Sequence, residues 1–383
     1  MSNSLRSSLS YWLVLFSSFS IGIVSLYYVN SIMNPSDDLN SFALGVENTS
    51  SFEARFVDGV QFHCYDLMDS DECINGHKKS KPREDVVLWL GNSQLHAINQ
   101  FKVGDTTAAH KLHQNLAAES RYLLTYSQPN ANLQEHYILF EYLAQKLPVT
   151  TLILPVVFDD MRETGVRNTL ADLLKNQSVI KRIIDTEIGR SLYKSEIDQD
   201  LSGNDMIALQ DTIQEKSEKY LNKSLGEIWE IWSERPKFRG EVFTNLYLFR
   251  NWIFGINATS STRVIPNRYV KNIQSLDAIL QSAKELKINV LIYIPPLRND
   301  VKIPYNLEQY DNFKTDIQLT ASRYNIEFIN LESLVPAKFW GTKDATTLGG
   351  MQELDFMHFQ SGGHDLLADT LYGKLKTFWK NKK

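Results

Sequence analysis

A serine follows a short apolar run near residue 90, and an Asp-x-x-His sequence lies close to the end of the chain. Ser93 comes directly after Asp85-Val-Val-Leu-Trp-Leu90 and the pair Gly91-Asn92, and Asp355 and His358 come shortly before a final helical pattern. A serine hydroxyl becomes a useful nucleophile only when a base takes its proton and a third group orients that base. These residues therefore predict acyl transfer through Ser93, with His358 as the base and Asp355 as its partner.

The sequence around Ser93 also has an ordinary structural explanation. Asn and Ser are common helix N-cap residues, so Gly91-Asn92-Ser93 also fits a simple cap before a helix over 94–100. If Ser93 opens such a helix, its backbone N–H is placed to donate to an oxyanion. His96 would share the helix face of Ser93, either contacting the site or simply packing.

The surrounding pattern alternates between strands and helices. Apolar runs typical of buried strands cover 85–90, 122–126, 151–158, 289–294 and 326–331. Amphipathic helices are predicted over 133–147, 273–286, 307–324 and from Leu367 to Trp379. Such alternation predicts right-handed crossovers and a parallel sheet covered on both faces. We therefore expect an α/β fold, a three-layer flavodoxin-like sandwich of about five parallel strands.

The order of these motifs resembles the SGNH/GDSL hydrolase superfamily. Gly91-Asn92-Ser93 follows the first strand, and Asp355-x-x-His358 precedes the last helix, so the resemblance covers residues 84–383. It implies a serine esterase or acyltransferase that needs no metal and no organic cofactor. The chain also resembles membrane-anchored extracytoplasmic members, such as the D-alanyl transfer protein of lipoteichoic acid synthesis and proteins that O-acylate envelope polysaccharides.

The chain departs from that superfamily in its oxyanion donors. The resemblance implies a glycine after the second strand and an asparagine after the third, and neither is present. Asp159 and Asp160, which follow the third strand, cannot stabilise an oxyanion while ionised. The candidate oxyanion or substrate contacts are Asn92, Asn130, Asn132, Arg162 and Arg298. These gaps favour a specialised transferase, and they also fit a degenerate site.

The N-terminus carries an apolar segment from Tyr11 to Val29, which as a helix would span roughly 28 Å, close to a bilayer core. A cleaved signal peptide is the alternative, but no small-x-small cleavage site follows. Arg6 precedes the segment and acidic residues follow it. The positive-inside rule then places residues 1–10 in the cytoplasm and the rest outside, in a bacterial periplasm or on the outer face of the inner membrane.

Residues 30–83 are polar and weakly periodic, which predicts an extracytoplasmic stalk. Cys64 and Cys73, the only two cysteines, are expected to form a disulfide in an oxidising compartment. Two free thiols are an alternative, and so is a zinc site with His63 and His77, although adjacent ligands fit tetrahedral spacing poorly.

Residues 163–270 interrupt the strand and helix alternation with a helical, aromatic insertion. It is either a helical subdomain with its own small core or a lid over the active site, and the two are compatible.

The net charge of -5 does not indicate the basic surface that nucleic-acid binding requires. We expect a serine acyltransferase or esterase acting on an envelope glycan, with a multipass membrane O-acyltransferase as partner. A plain acetyl-esterase and a non-catalytic assembly factor are the alternatives.

Overall fold

The computed structural model describes residues 49–50, 56–65, 67, 69–80, 85–195, 248, 251–253, 255, 257, 259–345 and 352–380. The predicted anchor over 11–29 and the cytoplasmic segment 1–10 lie outside these residues. Among the residues that are described, no helix has the length and apolarity needed to cross a membrane.

The centre of the fold is a six-stranded parallel sheet. Its strands are β1 (His63–Cys64), β2 (Val86–Gly91), β3 (Tyr122–Ser127), β4 (Val149–Pro155), β5 (Asn289–Ile294) and β6 (Glu327–Asn330). They lie in the order β6-β5-β4-β2-β3-β1, and every neighbouring pair is parallel. All five predicted strands are present, and β2 to β6 have the flavodoxin-like order, so this prediction is confirmed.

Helices cover both faces of the sheet. They are α1 (Ser70–Lys79), α2 (Ala108–Ala118), α3 (Leu133–Lys146), α4 (Gln177–Ile183), α5 (Pro266–Glu285), α6 (Leu307–Arg323) and α7 (Ser361–Lys380). From β2 the chain first steps to β3 on one side and then returns to β4 on the other. Right-handed crossovers therefore place α2 on one face and α3, α5 and α6 on the opposite face. α7 packs against α2, which completes the three layers.

Short elements fill the loops between these helices and strands. They are the 3₁₀ turns Ser93–Leu95, Asp159–Arg162, Asp172–Lys175 and Ala337–Phe339, the helical turn Asn168–Ala171, and the paired strands Thr49–Ser50 with Ala97–Ile98. An antiparallel pair, β7 (Trp340–Lys343) and β8 (Glu353–Phe359), lies beside the main sheet just before α7.

The predicted stalk over 30–83 is wrong for residues 56–80, which belong to the folded domain. Phe56–Val57 and Val60–Gln61 form a hairpin, and β1 then adds an edge strand beside β3. Phe62 and Cys64 are completely buried. The sequence did not indicate this strand because two residues are too few to show an alternating pattern.

Cys64 and Cys73 are joined by a disulfide that ties β1 to α1. The alternatives of free thiols and a zinc site are therefore not what the structure shows. The imidazole of His63 is used elsewhere, since its Nε2 lies 2.6 Å from Ser127 Oγ.

Residues 163–195 of the predicted insertion do not form a core of their own. Their apolar side chains join the main core, among them Leu173, Val179, Ile183, Ile188 and Leu192. Arg167 pairs with Glu135 at 2.7 Å, which fastens this segment to α3. The helix α5 also begins inside the predicted insertion, at Pro266. Most of the aromatic stretch from Ile228 to Phe254 lies outside the described residues.

Candidate active site

Three side chains from distant parts of the chain meet at the carboxyl edge of the sheet. Ser93 Oγ lies 2.9 Å from His358 Nε2, although 265 residues separate them. His358 Nδ1 lies 3.1 Å from Asp355 Oδ2. The serine follows β2, where the strand order reverses, and this is where open α/β sheets bind ligands. The arrangement is that of a nucleophile, a base and an orienting carboxylate.

The nucleophile lies on a tight turn. Ser93 begins a single 3₁₀ turn, and Ala97–Ile98 then pairs as a strand, so the predicted helix over 94–100 is wrong. A Cβ added to Gly91 would lie 2.3 Å from Leu95 Cδ1, so the turn folds back closely and a larger residue there would displace the Leu95 side chain. The Ser93 backbone N–H forms no hydrogen bond with the described residues, which leaves it available to an oxyanion.

Asn92, a predicted oxyanion contact, has a structural role instead. Its Oδ1 accepts a hydrogen bond from the Gln94 backbone N–H at 3.1 Å, which caps the turn. Its Nδ2 donates to Asp160 Oδ2 at 2.8 Å. Burial raises the pKa of Asp160 well above its ordinary value, and the hydrogen bond from Asn92 opposes this only in part.

The carboxylate of Asp355 is held by four donors. Oδ1 accepts from the backbone N–H groups of Met357 at 2.9 Å and His358 at 3.0 Å. Oδ2 accepts from Asn99 Nδ2 at 3.1 Å, in addition to the His358 ring. Burial alone would raise the pKa of Asp355, but attraction to His358 and these hydrogen bonds lower it overall. Asp355 therefore stays ionised and fixes the imidazole with a proton on Nδ1.

Asn99 and Gln94 are two site residues that the sequence did not reveal. Gln94 Nε2 donates to the carbonyl oxygens of Pro296 at 2.9 Å and Met357 at 2.8 Å. One buried side chain thus ties the nucleophile turn to the loop after β5 and to the strand that carries His358. No local motif marks either residue, because their partners are more than 200 residues away.

Two further predicted contacts, Asn132 and Arg298, have polar groups that are already engaged by other protein groups. The Asn132 side chain caps α3, accepting from the Gln134 and Glu135 N–H groups, and its Nδ2 donates to the Gly165 carbonyl. Arg298 forms an ion pair with Asp300, 2.9 Å from Nε, and donates from Nη1 to the Gly341 carbonyl at 2.8 Å.

Asn130 and Arg162 have no contact that brings them to Ser93. Asn130 is exposed in a turn with φ 53°, and asparagine tolerates this left-handed conformation. Arg162 lies on the 3₁₀ turn after β4, and its Nε is buried without a hydrogen-bond partner among the described residues. Its role as an anion contact stays a prediction.

His96 packs behind the nucleophile turn. Its Nδ1 lies 2.8 Å from Ser127 Oγ, and its backbone N–H donates to the Ser93 carbonyl at 3.1 Å. Burial, followed by repulsion from His358 and His364, lowers the pKa of His96 to about 3, so the ring is neutral. His364 has a structural role, because Nδ1 accepts from the Ala108 N–H and Nε2 lies 3.1 Å from the Ala97 carbonyl.

A small apolar recess, with room for little more than one water molecule (about 10 Å³), lies beside the triad. Its walls include Phe158, Pro296, Tyr305 and Met357, the last of which precedes His358. Tyr305 donates from its hydroxyl to Asp159 Oδ2 at 2.7 Å, which closes one side. No group of three or more metal-ligating side chains occurs within the described ranges.

A scan of protein-family models and a search of curated proteins each return no match. A search of solved structures returns TesA, with 11% identity over 76% of this chain and 98% of that one, at a TM-score of 0.36. It also returns a GDSL-like lipase from Parabacteroides merdae, with 11% identity over 75% of this chain and 93% of that one, at 0.37.

A third similar structure is an acetyl-xylooligosaccharide esterase from Geobacillus, with 11% identity over 75% of this chain and 91% of that one, at 0.35. GDSL-like proteins are the class that the Ser93 and Asp355-x-x-His358 motifs resemble.

Proposed function

We propose that this chain is a serine ester hydrolase of the SGNH/GDSL type that forms an acyl-enzyme on Ser93. The observation that carries the proposal is the hydrogen-bonded series from Ser93 through His358 to Asp355. Ser93 is half-buried and so remains reachable, whereas Asp355 is buried and ionised. A nucleophile, base and carboxylate in contact support an enzyme over a non-catalytic assembly factor.

The geometry accounts for each proton. Ser93 Oγ attacks the acyl carbonyl while its proton moves to His358 Nε2, and the Ser93 N–H donates to the oxyanion. The ester C–O bond then breaks, and the departing alcohol takes the proton from Nε2. In the second half, water or a sugar hydroxyl gives its proton to Nε2 and attacks the acyl carbonyl. Ser93 Oγ leaves with that proton.

The substrate we propose is a short O-acyl group on a cell-envelope polysaccharide or related polymer. The support is the resemblance of the Ser93 and Asp355-x-x-His358 motifs to proteins that O-acylate envelope polysaccharides, and the apolar recess beside the triad is too small for a long acyl chain. A sugar hydroxyl as acceptor would make the protein an acyltransferase, with a multipass membrane O-acyltransferase as the upstream donor. Water as acceptor would make it a plain acetyl-esterase. Acyl-enzyme turnover that speeds up when glycans are added supports transfer, and indifference to glycans supports hydrolysis.

The proposal is tested by labelling with a fluorophosphonate and by hydrolysis of p-nitrophenyl acetate. Ser93→Ala is expected to abolish labelling and to reduce hydrolysis to the background rate. His358→Ala should lose both activities as well, since the hydroxyl then lacks its base. Ser333→Ala, which removes a surface serine that accepts from Asn299, is the matched control. Undiminished labelling and hydrolysis in Ser93→Ala would exclude this function.

We also propose that the chain is membrane-anchored, with its catalytic domain outside the cytoplasm. The apolar segment 11–29 and the disulfide between Cys64 and Cys73 support this, since disulfides persist in oxidising compartments. The full chain should sediment with membranes and resist carbonate extraction, and deletion of residues 2–29 should release it. A mature protein that begins after residue 29 would instead indicate a cleaved signal peptide.

A further inference from the structure

The acyl transfer proposed for Ser93 requires a second oxyanion donor besides the Ser93 N–H. The side-chain amides nearest the triad are already engaged. Asn92 donates to Asp160, Gln94 donates to the Pro296 and Met357 carbonyls, and Asn99 donates to Asp355 and the Thr342 carbonyl. The donor must come from a group that has not yet been assigned.

Gln128 lies next to the nucleophile turn. Gly91 and Ser127 pair in register at the carboxyl ends of β2 and β3. The Gln128 backbone N–H continues this ladder by donating to the Gly91 carbonyl at 3.2 Å. Neighbouring strands lie about 4.8 Å apart, so Gln128 stands one strand spacing from the Asn92-Ser93 turn. A glutamine side chain is long enough to cross that distance.

The side-chain amide of Gln128 has no hydrogen-bond partner among the described residues. Only 4% of the residue is exposed, and its Oε1 is fully buried, which destabilises the folded protein and calls for an explanation. Nε2 is also unpaired with the described residues, but it is not among the fully buried atoms and so is open to a ligand. An oxyanion on a bound substrate would give Nε2 an acceptor.

We infer that Gln128 is a catalytic residue whose side-chain amide donates from Nε2 to the oxyanion formed on the substrate at Ser93. This inference rests on the function proposed above. Together with the Ser93 N–H it provides two donors from adjacent strands, β2 and β3. The sequence offered Asn130 and Asn132 for this task, but one is exposed and the other caps α3.

The test replaces Gln128 by methionine, which keeps the length of the side chain and removes the amide. Hydrolysis of p-nitrophenyl acetate by Gln128→Met should show kcat lowered about 100-fold with KM unchanged, the size found when one oxyanion donor is removed. Its melting temperature should equal or exceed that of the wild type, because a buried amide oxygen without a partner has gone. A residue with only a structural role would not separate activity from stability in this way.

Two more variants complete the experiment. Gln128→Glu is similar in size but carries a negative charge when ionised, so its kcat should fall at least as far as that of Gln128→Met. Gln281→Met is the matched control, since it makes the same change at an exposed glutamine of α5 and should leave kcat unchanged.

The outcomes separate the two proposals. If wild-type turnover depends on Ser93 and Gln128→Met keeps kcat within twofold, the role of Gln128 is wrong and the proposed function stands. A Gln128→Met variant that loses kcat and melting temperature together would also overturn the catalytic role. If the wild type neither hydrolyses the ester nor labels with fluorophosphonate, the proposed function fails and this inference fails with it.

Discussion

Asp355 shows how a buried carboxylate is kept ionised beside a histidine. It accepts hydrogen bonds from two backbone N–H groups, from Asn99 and from the His358 ring. Substitution by asparagine keeps the shape but places an amide among groups that only donate, so the imidazole loses its orientation. We expect Asp355→Asn to lower kcat for p-nitrophenyl acetate by about 10⁴-fold, as in other serine triads. Asp369→Asn, which removes an exposed partner of Lys111, should leave kcat unchanged.

The same substitution has a pH-dependent effect on stability. Because the pKa of Asp355 is lower in the folded protein than in the unfolded chain, its stabilising contribution is present above about pH 4. That contribution disappears as the pH falls through the lowered pKa of the folded state. Urea unfolding should therefore show Asp355→Asn less stable than the wild type at pH 7, with the difference shrinking toward pH 3. A constant difference would contradict the ionised role.

The triad could be predicted from sequence because nucleophile, base and carboxylate are recognisable by residue type and by position relative to strands and helices. The supporting side chains could not. Gln94 and Asn99 act through partners far along the chain. The polar groups of Asn92, Asn132 and Arg298 are already hydrogen-bonded to other protein groups. A side-chain amide near the site can serve as an oxyanion donor only when no other protein group already accepts its hydrogen bond. Whether such a group is present depends on the packing of the folded chain.

At the scale of elements, the long buried strands and amphipathic helices were predictable because each repeats its pattern over many residues. Short elements were not. The strand β1 has two residues, and the turn at Ser93 looked like a helix start because Asn and Ser also cap helices. Asp355 and His358 lie within the short strand β8, where Asp355 accepts from the Met357 and His358 N–H groups.

The disulfide between Cys64 and Cys73 should stabilise the edge of the sheet. It closes a loop with a sequence separation of 9, which in the chain-entropy model contributes about 2–3 kcal/mol. We expect Cys73→Ser to lower the free energy of unfolding by this amount in urea titrations under oxidising conditions.

Reductant supplies the control for the disulfide. It should destabilise the wild type as much as the substitution does and should have no further effect on a Cys64→Ser, Cys73→Ser double variant. Equal stability of the wild type with and without reductant would show that the bond does not stabilise the fold.

At the scale of the whole molecule, burial shifts the pKa values of several titratable groups, so acid changes the stability of the folded protein. His96, His136 and His364 each have a pKa lowered to about 3 by burial, against an ordinary value of 6.5. Below pH 6.5 the unfolded chain therefore binds protons that the folded protein does not. Burial raises the pKa of Asp159 and Asp160, so these carboxyls take up protons earlier in the folded state and offset part of the loss.

These opposing shifts predict a steep loss of stability between pH 6.5 and about pH 3, because each buried histidine contributes up to about 1.4 kcal/mol per pH unit. His136→Gln tests this, since His136 lies on α3 with its Nδ1 unpaired among the described residues, and glutamine does not titrate. Urea unfolding from pH 7 to pH 4 should give a shallower pH dependence for the variant, while its esterase activity at pH 7 matches the wild type. If the free energy of unfolding of the variant and of the wild type changed with pH in parallel, His136 would not be buried as a neutral ring. The acid sensitivity would then have to come from the other two histidines, which lie on the side of the molecule that carries Ser93.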